Sequence, residues 1–197
     1  MIYEKYIKRF LDIVFALLVL PFVIIISLIF AIFIYLEDRG DIFYIANRRG
    51  KNGTTFGMYK LRSMKMNAPD IRNKDNSTFN SSNDPRVTKV GKIMRKTSVD
   101  ELPQIFNILK GDMSWIGPRP NQPSKNYEEM TDIEKKRLSI KPGVTGYSQA
   151  YYRNSISQDE KLKKDVYYVD NISFLLDFKI VIQTIKSVIF QKNINTN

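Results

Sequence analysis

Hydrophobic residues are concentrated near the start of the chain, where residues 13–36 carry no charge and Ser27 is the one strongly polar side chain. These 24 residues exceed the roughly 18 that predict a membrane helix, and they are too many for the apolar core of a signal peptide. A buried core helix is the less favoured alternative. Pro21 lies close to the middle of the segment, where a proline removes a hydrogen bond and kinks or breaks the helix.

Basic residues flank this segment on both sides. Lys8 and Arg9 precede it, and further basic residues follow it at positions 39, 48, 49 and 51. Because basic residues favour the cytoplasmic side of a membrane, both flanks favour the same side. Asp12 lies one helical turn after Arg9, where the two side chains can form an ion pair. A re-entrant helix that breaks at Pro21 satisfies all these facts, and a straight span is the alternative because membrane helices tolerate proline.

The pattern beyond residue 38 predicts an α+β unit that is mostly helical and contains one β-hairpin. Positions 42–49 and 54–62 are rich in aromatic and β-branched residues, and Asn52-Gly53 lies between the two runs. An Asn-Gly pair flanked by such runs is a strong hairpin signal. Polar residues dominate positions 67–84 and predict a loop. Loops are also predicted at 113–120 and 141–146, which are rich in proline and glycine.

Helical spacing and capping residues predict helices at residues 89–96, 99–110, 132–139, 157–170 and 173–190. Ser98 is expected to cap the second of these helices and Gly111 to end it. Ser157 and Glu160 have the spacing of a capping box. The last helix is amphipathic and packs on a core or lies in a membrane interface. We therefore divide the chain into a membrane helix, residues 1–38, and a second domain, residues 39–197.

The composition narrows the chemistry that this domain can perform. The chain contains no cysteine and no histidine, which excludes a thiolate nucleophile, a Ser-His-Asp triad and a zinc finger. A metal site would use oxygen ligands, which favour a hard cation such as Mg²⁺. The formal net charge of +11 favours an anionic partner: nucleic acid, an anionic membrane surface or a phosphorylated substrate. No nucleic-acid-binding motif accompanies that charge.

The pair Asp100-Glu101 permits two interpretations. With Ser98 as the N-cap, residues 98–101 form a capping box, and their role is structural. Alternatively, the positive end of the helix keeps Asp100 ionised as a covalent nucleophile, and the two carboxylates together can hold Mg²⁺. Spacing alone favours the structural interpretation.

Basic residues cluster around this pair along the chain. Arg95 precedes it, Arg119 follows it between two prolines, Lys60 lies near the end of the predicted hairpin, and Arg153 follows the glycine-rich segment. A single basic residue is usually a solvated surface charge. Several arginines in rigid turns instead indicate a site for phosphate oxygens, which the planar guanidinium matches.

In its motifs the chain resembles the bacterial sugar transferases, the small monotopic polyprenyl-phosphate phosphoglycosyl transferases. The matching motifs run nearly end to end: KRFLD at 8–12, YKLRSM at 59–64, TSVDELPQ at 97–104, NILKGDMS at 107–114, GPRP at 117–120, KPGVTG at 141–146 and DVYY at 165–168. In combination they favour a functional role for Asp100-Glu101 over capping alone.

The resemblance implies transfer of a sugar 1-phosphate from a nucleoside diphosphate sugar, usually a UDP-sugar, to a polyprenyl phosphate such as undecaprenyl phosphate, with release of UMP. It implies that Asp100 is the nucleophile of a covalent phosphosugar intermediate and that Glu101, with Asp100, holds the cofactor Mg²⁺. It assigns phosphate or substrate binding to further residues: Lys60, Arg95, Arg119, Arg153 and Asp165. Direct transfer through a ternary complex is the alternative mechanism. The alternative from a different class is a basic membrane-anchored protein that binds nucleic acid or lipid.

The resemblance also implies a setting in the cell. The helix is expected to be re-entrant and broken at Pro21, with Lys8, Arg9 and Asp12 at its start, and the last helices are expected to lie at the membrane interface. The catalytic domain would then face the cytoplasm at the bacterial inner membrane, without a nucleic-acid partner. Leu20 occupies the position before the proline where small members often carry serine. A homodimer is the candidate oligomer.

Overall fold

Helices dominate a computed structural model that describes residues 2–71, 79, 81, 84–153 and 155–189. After a π-helical turn at Tyr3–Ile7, the helices are α1 (Lys8–Glu37), α2 (Lys89–Thr97), α3 (Gln104–Lys110), α4 (Asp132–Arg137), α5 (Tyr147–Tyr151), α6 (Gln158–Asp170) and α7 (Phe174–Ile189). The strands are β1 (Phe43–Arg49), β2 (Thr55–Leu61), β3 (Ser114–Ile116) and β4 (Gly143–Thr145). The predicted α+β class with a long apolar N-terminal helix is confirmed. Much of the loop predicted at 67–84 lies outside the described residues, namely 72–78, 80, 82 and 83.

The apolar helix α1 is continuous through Pro21 and packs on the rest of the chain at its start, in its middle and near its end. Ala16 and Val23 join a core cluster with residues of β2 and α3, and Ile34 packs with Leu61 and Met94. Most of its other large apolar side chains are exposed, and the segment Tyr3–Glu37 is long and apolar enough to cross a membrane. The break expected at Pro21 does not interrupt the helix, and the re-entrant topology stays a prediction.

The start of α1 is fixed by polar contacts that differ from the expected Arg9–Asp12 pair. The Asp12 carboxylate accepts hydrogen bonds from the Ser114 hydroxyl at 3.0 Å and the Trp115 amide at 3.1 Å. Arg9 instead donates to the carbonyls of Ile108 and Leu109, at 2.5 and 3.0 Å. Asp12 therefore attaches α1 to β3, and Arg9 attaches it to the last turn of α3. Each side chain bonds to a partner that is distant in sequence, and the two do not pair with each other.

The predicted β-hairpin is confirmed. Strands β1 and β2 pair antiparallel, with Ala46 opposite Met58, and Asn52 takes the left-handed conformation that the turn requires, with φ of 54°. The Asn107 side chain completes the outer edge of β2, because it accepts from the Tyr59 amide at 2.9 Å and donates to the Gly57 carbonyl at 2.8 Å. The hairpin is thereby attached to α3.

Two short strands occupy segments that were predicted to be loops. Strands β3 and β4 pair in parallel, with Ser114 opposite Gly143 and Ile116 opposite Thr145. The backbones approach closely there: a Cβ on Gly143 would lie 2.1 Å from the Gly117 nitrogen. Strands of three residues are too short to show an alternating hydrophobic pattern. The glycines that allow the two backbones to lie so close therefore indicated only a turn.

The helix predicted at 99–110 is two elements. Ser98 lies in the left-handed region with φ of 58° and ends α2, Val99–Glu101 forms a 3₁₀ turn, and α3 starts only after Pro103. The expected Ser98 cap and its capping box with Glu101 are therefore wrong, since the Ser98 side chain makes no capping bond. Gly111 ends α3 as predicted, with φ of 95°. The capping box between Ser157 and Glu160 on α6 is also confirmed.

Candidate active site

Asp100 and Glu101 lie in the 3₁₀ turn between α2 and α3. The left-handed Ser98 reverses the chain after α2, and this reversal turns the two carboxylates toward β2. Asp100 is only 7% exposed. The pair is thus held between two helices rather than at the N-terminus of one long helix.

Glu101 is the centre of an ionic cluster. One oxygen of its carboxylate, Oε1, lies 2.7 Å from Nζ of Lys60 and 3.1 Å from Nη2 of Arg119. Burial alone would raise the pKa of Glu101, but the charges of Arg119 and Lys60 outweigh burial and lower that pKa to about 2. Glu101 is therefore ionised throughout the physiological range.

Asp100 behaves in the opposite way. Burial raises the pKa of Asp100 above the usual range of an aspartate, and the adjacent Glu101 charge adds to the rise, although Lys60 and Arg95 oppose it. From the sequence, a helix end is expected to stabilise the Asp100 charge and so to lower its pKa. Burial is instead the largest effect on that pKa, and it acts in the opposite direction. An ionised Asp100 is a destabilised anion, which is a favourable state for a nucleophile.

This raised pKa predicts that Asp100→Asn stabilises the fold at neutral pH. The pKa of Asp100 is higher in the folded state than in the unfolded state. Such a carboxyl costs no stability below the unfolded pKa of about 3.9; the cost grows as the pH rises from there and is complete above the folded pKa. The unfolding temperature should rise at pH 7 by about 2–4 °C for each kcal/mol relieved, and the gain should shrink as the pH falls. Thermal unfolding in parallel with wild type measures it. An unchanged or lower midpoint at pH 7 would contradict this account.

The three predicted phosphate-binding residues nearest the pair come from different elements. Lys60 is on β2 and Arg119 is in the loop after β3, with its side chain half-exposed at 53%. Arg95, in the last turn of α2, donates from Nε to the Ser63 hydroxyl at 3.0 Å. Burial lowers the pKa of Arg95 while the Asp100 charge opposes that change. The structure thus brings Lys60, Arg95 and Arg119 together around the two carboxylates.

The other two predicted binding residues are placed differently. Asp165 is 2% exposed and bonds to Nε of Arg137 at 2.8 Å and the Ser148 hydroxyl at 2.6 Å. Arg137 in turn donates to the Arg119 carbonyl at 2.6 Å, so Asp165 supports Arg119 from behind. Arg153 follows α5 with φ of 48°, and no hydrogen bond or ion pair within the described residues joins it to Asp100 or Glu101. Substrate contact by Asp165 or Arg153 stays a prediction.

A narrow cleft beside Glu101 includes residues that sequence reasoning did not select. Its cavity volume is about 30 Å³, and its walls include Arg48, Gln104, Val144 and Arg119. Gln104 is 3% exposed and ends the TSVDELPQ motif, which was the available signal for it. Arg48 had been counted only as a membrane-flanking charge. The walls of the cleft come from β1, α3, β4 and the loop that carries Arg119. Local sequence patterns do not predict that these separate elements lie side by side.

Asp100 and Glu101 are oxygen donors of the kind that a magnesium ion completed by substrate phosphates would use, and magnesium binding stays a prediction. No group of three or more acidic side chains suited to a metal occurs within the described parts of the chain. Mg²⁺ in nucleotide-dependent enzymes commonly uses one or two carboxylates, waters and substrate phosphates, so a closed protein cage is not required. The adjacent Asp100 and Glu101, with cations placed for the phosphates, match that donor set.

Comparisons with known proteins agree in naming one class of protein. The family model described as "Bacterial sugar transferase" matches residues 3–191. The chain is 44% identical over 191 residues to "Galactosyl transferase CpsE" of Streptococcus agalactiae, covering 92% of this chain and 42% of that protein. It is 38% identical over 191 residues to the "UDP-N-acetylgalactosamine-undecaprenyl-phosphate N-acetylgalactosaminephosphotransferase" of Aeromonas hydrophila, covering 93% and 44%.

A shorter relative is matched over most of its length. "Uncharacterized sugar transferase EpsL" of Bacillus subtilis is 37% identical over 188 residues, covering 95% of this chain and 89% of the relative. By contrast, the chain spans less than half the length of the first two relatives.

Proposed function

Because the chain belongs to the bacterial sugar transferase family, we propose that it is a phosphoglycosyl transferase that moves a sugar 1-phosphate from a UDP-sugar to undecaprenyl phosphate and releases UMP. The match over residues 3–191 includes α1 and all the candidate site residues. Relatives are named for undecaprenyl-phosphate transfer of galactose, glucose or N-acetylgalactosamine phosphates, which supports this reaction class and leaves the sugar open.

The observation that carries the proposal is the ionic cluster on Glu101 beside the buried Asp100. Lys60 and Arg119 lie within 3.1 Å of one oxygen of the Glu101 carboxylate, and Glu101 and Arg119 line a narrow cleft. Phosphate oxygens of a diphosphate can take the place of that oxygen on one or both cations. The substrate phosphorus would then lie next to Asp100, which directly precedes Glu101.

In the proposed first step, an Asp100 oxygen forms a bond to the sugar-bearing phosphorus. The bond between that phosphorus and the bridging oxygen breaks, and UMP leaves with the oxygen and the electron pair. In the second step, an oxygen of the lipid phosphate bonds to the same phosphorus, and the aspartyl–phosphorus bond breaks to restore the carboxylate. Lys60, Arg95 and Arg119 stabilise the charge that develops on the phosphate oxygens.

Asp100 and Glu101 would hold Mg²⁺, which supplies neutralisation of the diphosphate charge and makes UMP a better leaving group. The protein's own contribution is placement. The Arg119 carbonyl accepts a hydrogen bond from Arg137, which fixes the backbone at Arg119. Lys60 belongs to β2, whose backbone is paired with β1. These constraints reduce the reorganisation needed as the reaction proceeds.

We further propose that α1 is a re-entrant membrane anchor that holds the cleft at the cytoplasmic face of the inner membrane. A helix of 30 residues is about 45 Å long, yet Arg9 near its start and Ile34 near its end both contact the same domain. Its exposed apolar side chains, and those on α7 such as Phe174 and Leu175, suit contact with lipid. The phosphate head group of the lipid substrate would reach the cleft at the membrane surface. Magnesium, the anchor and dimerisation remain proposals.

The proposal is tested with the full chain in vesicles that contain undecaprenyl phosphate and Mg²⁺. Separate reactions with UDP-glucose, UDP-galactose, UDP-N-acetylglucosamine and UDP-N-acetylgalactosamine are assayed for UMP. At least one should release UMP in step with a lipid-linked product. Salt-sensitive binding to anionic vesicles or nucleic acid without any turnover would instead favour the non-catalytic alternative.

A further inference from the structure

The two ends of α1 are bonded to the two helices that flank Asp100-Glu101. At its start, Arg9 donates to carbonyls in the last turn of α3. At its end, the Glu37 carboxylate accepts hydrogen bonds from the Lys89 amide at 2.6 Å and from the Val90 amide at 2.8 Å. These are the first two amides of α2, which have no partner within their own helix. The turn Val99–Glu101 therefore lies between α2 and α3, and both of these helices are hydrogen-bonded to α1.

Local capping of α2 is already provided by a different residue. The Thr88 side chain is the N-cap and accepts from the Gly91 amide at 2.9 Å. Glu37 adds a full negative charge at the positive end of α2, where a carboxylate is stabilising. Because Glu37 belongs to α1, its two bonds also connect α2 to the end of the membrane helix.

Helix α2 packs tightly against the segment at Ser63, so a displacement at one end of the helix is transmitted to the other end. A Cβ on Gly91 would lie 2.0 Å from the Ser63 carbonyl oxygen, so the helix backbone lies directly on that segment. At the far end Arg95 bonds to the Ser63 side chain, and Asp100 follows after the Ser98 reversal. The helix has nine residues and is about 13 Å long, and it contains no proline or break.

A parallel connection leads from the same end of α1 to Glu101. Asp38, which follows Glu37, pairs with Nη1 of Arg62 at 2.7 Å. Arg62 directly follows β2, the strand whose Lys60 bonds to Glu101. Each carboxylate of the pair therefore has a connection to the end of α1.

We propose that Glu37 is a positioning residue that holds Asp100 in its reactive place by tying the N-terminus of α2 to the end of the membrane helix. This proposal rests on the proposed function. Misplacing a reacting group by about 1 Å can cost a hundredfold in rate without a comparable change in binding. Loss of the Glu37 connection should therefore reduce kcat for UMP release more than it changes KM for the UDP-sugar.

The test compares wild type with Glu37→Gln in the full chain in vesicles. Glutamate accepts from the Lys89 amide on one oxygen and from the Val90 amide on the other. Glutamine replaces one of those oxygens with an NH₂ donor and carries no charge, so this two-oxygen contact is lost. We expect kcat to fall about tenfold, with KM within about twofold. Asp41→Asn is the matched control: it removes the same charge four residues later from an exposed side chain, and it should leave both constants unchanged.

The double variant Glu37→Gln with Thr88→Asp separates positioning from helix stability. Aspartate keeps the N-cap and returns a negative charge to α2, but it makes no connection to α1. Its unfolding midpoint should recover toward wild type while kcat stays low. Recovery of both quantities, or a Glu37→Gln variant that matches Asp41→Asn, would overturn the proposal.

Hydrogen exchange keeps this test independent of activity. Amides in the turn Val99–Glu101 should exchange about tenfold faster in Glu37→Gln and should stay fast in the double variant. Unchanged exchange there would overturn the positioning role. A wild-type protein that releases no UMP from any UDP-sugar would instead overturn the proposed function, so the two failures are distinguishable.

Discussion

Replacing Asp100 with asparagine is expected to lower UMP release at least a thousandfold, with or without lipid acceptor. Asparagine has nearly the same shape but cannot form the acyl phosphate, and in other covalent enzymes loss of the nucleophile costs about this much or more. The measurement is initial UMP release at saturating UDP-sugar. Asp41→Asn, which removes an equal charge from an exposed position, should remain active. Activity within tenfold of wild type in Asp100→Asn would rule out Asp100 as the nucleophile.

The same variant distinguishes the two proposed mechanisms when intact protein mass is measured. Wild type incubated with UDP-sugar and no acceptor should gain the mass of a sugar phosphate and release an equal amount of UMP. Asp100→Asn should gain nothing. If wild type releases UMP only when lipid phosphate is present and never gains mass, direct transfer through a ternary complex is the mechanism.

Glu101→Gln is expected to lower turnover about a hundredfold, comparable to the removal of one strong electrostatic contact from an active site. One Glu101 oxygen contacts both Lys60 and Arg119, and a neutral amide would remove the negative charge that these two cations share. A lost carboxylate should also raise the Mg²⁺ concentration that gives half-maximal rate.

Glu128→Gln is the matched control for that variant, because Glu128 is exposed and lies outside the cleft. Both proteins are assayed over a range of Mg²⁺ concentrations at fixed UDP-sugar. Turnover of Glu101→Gln within about twofold of the control would show that the ionic cluster is structural and that the cleft is not the site of phosphoryl transfer.

Much of the fold could be predicted from local patterns. The run without charges predicted α1, Asn52-Gly53 between β-rich runs predicted the hairpin, and Ser157 with Glu160 predicted the start of α6. Each of these signals is contained in one short window. Strands β3 and β4 are three residues each, and their close pairing depends on Gly117 and Gly143, which are 26 positions apart in the sequence. No short stretch of sequence contains both glycines.

The sequence selected Lys60, Arg95 and Arg119 as neighbours of Asp100 and Glu101, but it did not show the electrostatics of this group. The motif resemblance selected Asp100, Glu101 and the nearby cations, whereas local pattern alone favoured a capping box that the structure does not contain. The Lys60–Glu101 contact joins residues 41 apart, and the raised pKa of Asp100 comes from burial. Both depend on tertiary packing, which local sequence does not encode. The Glu37 connection was missed for the same reason.

Trp115 joins α1 to the folded domain. Its indole nitrogen donates to the Asp12 carbonyl at 3.1 Å, and its ring meets Phe15 edge-on with centroids 5.1 Å apart. It is the only tryptophan in the chain. Tryptophan emission from the protein therefore originates at the junction between α1 and β3. A label-free emission spectrum can follow whether the first turns of α1 are docked, in detergent, in vesicles or during refolding.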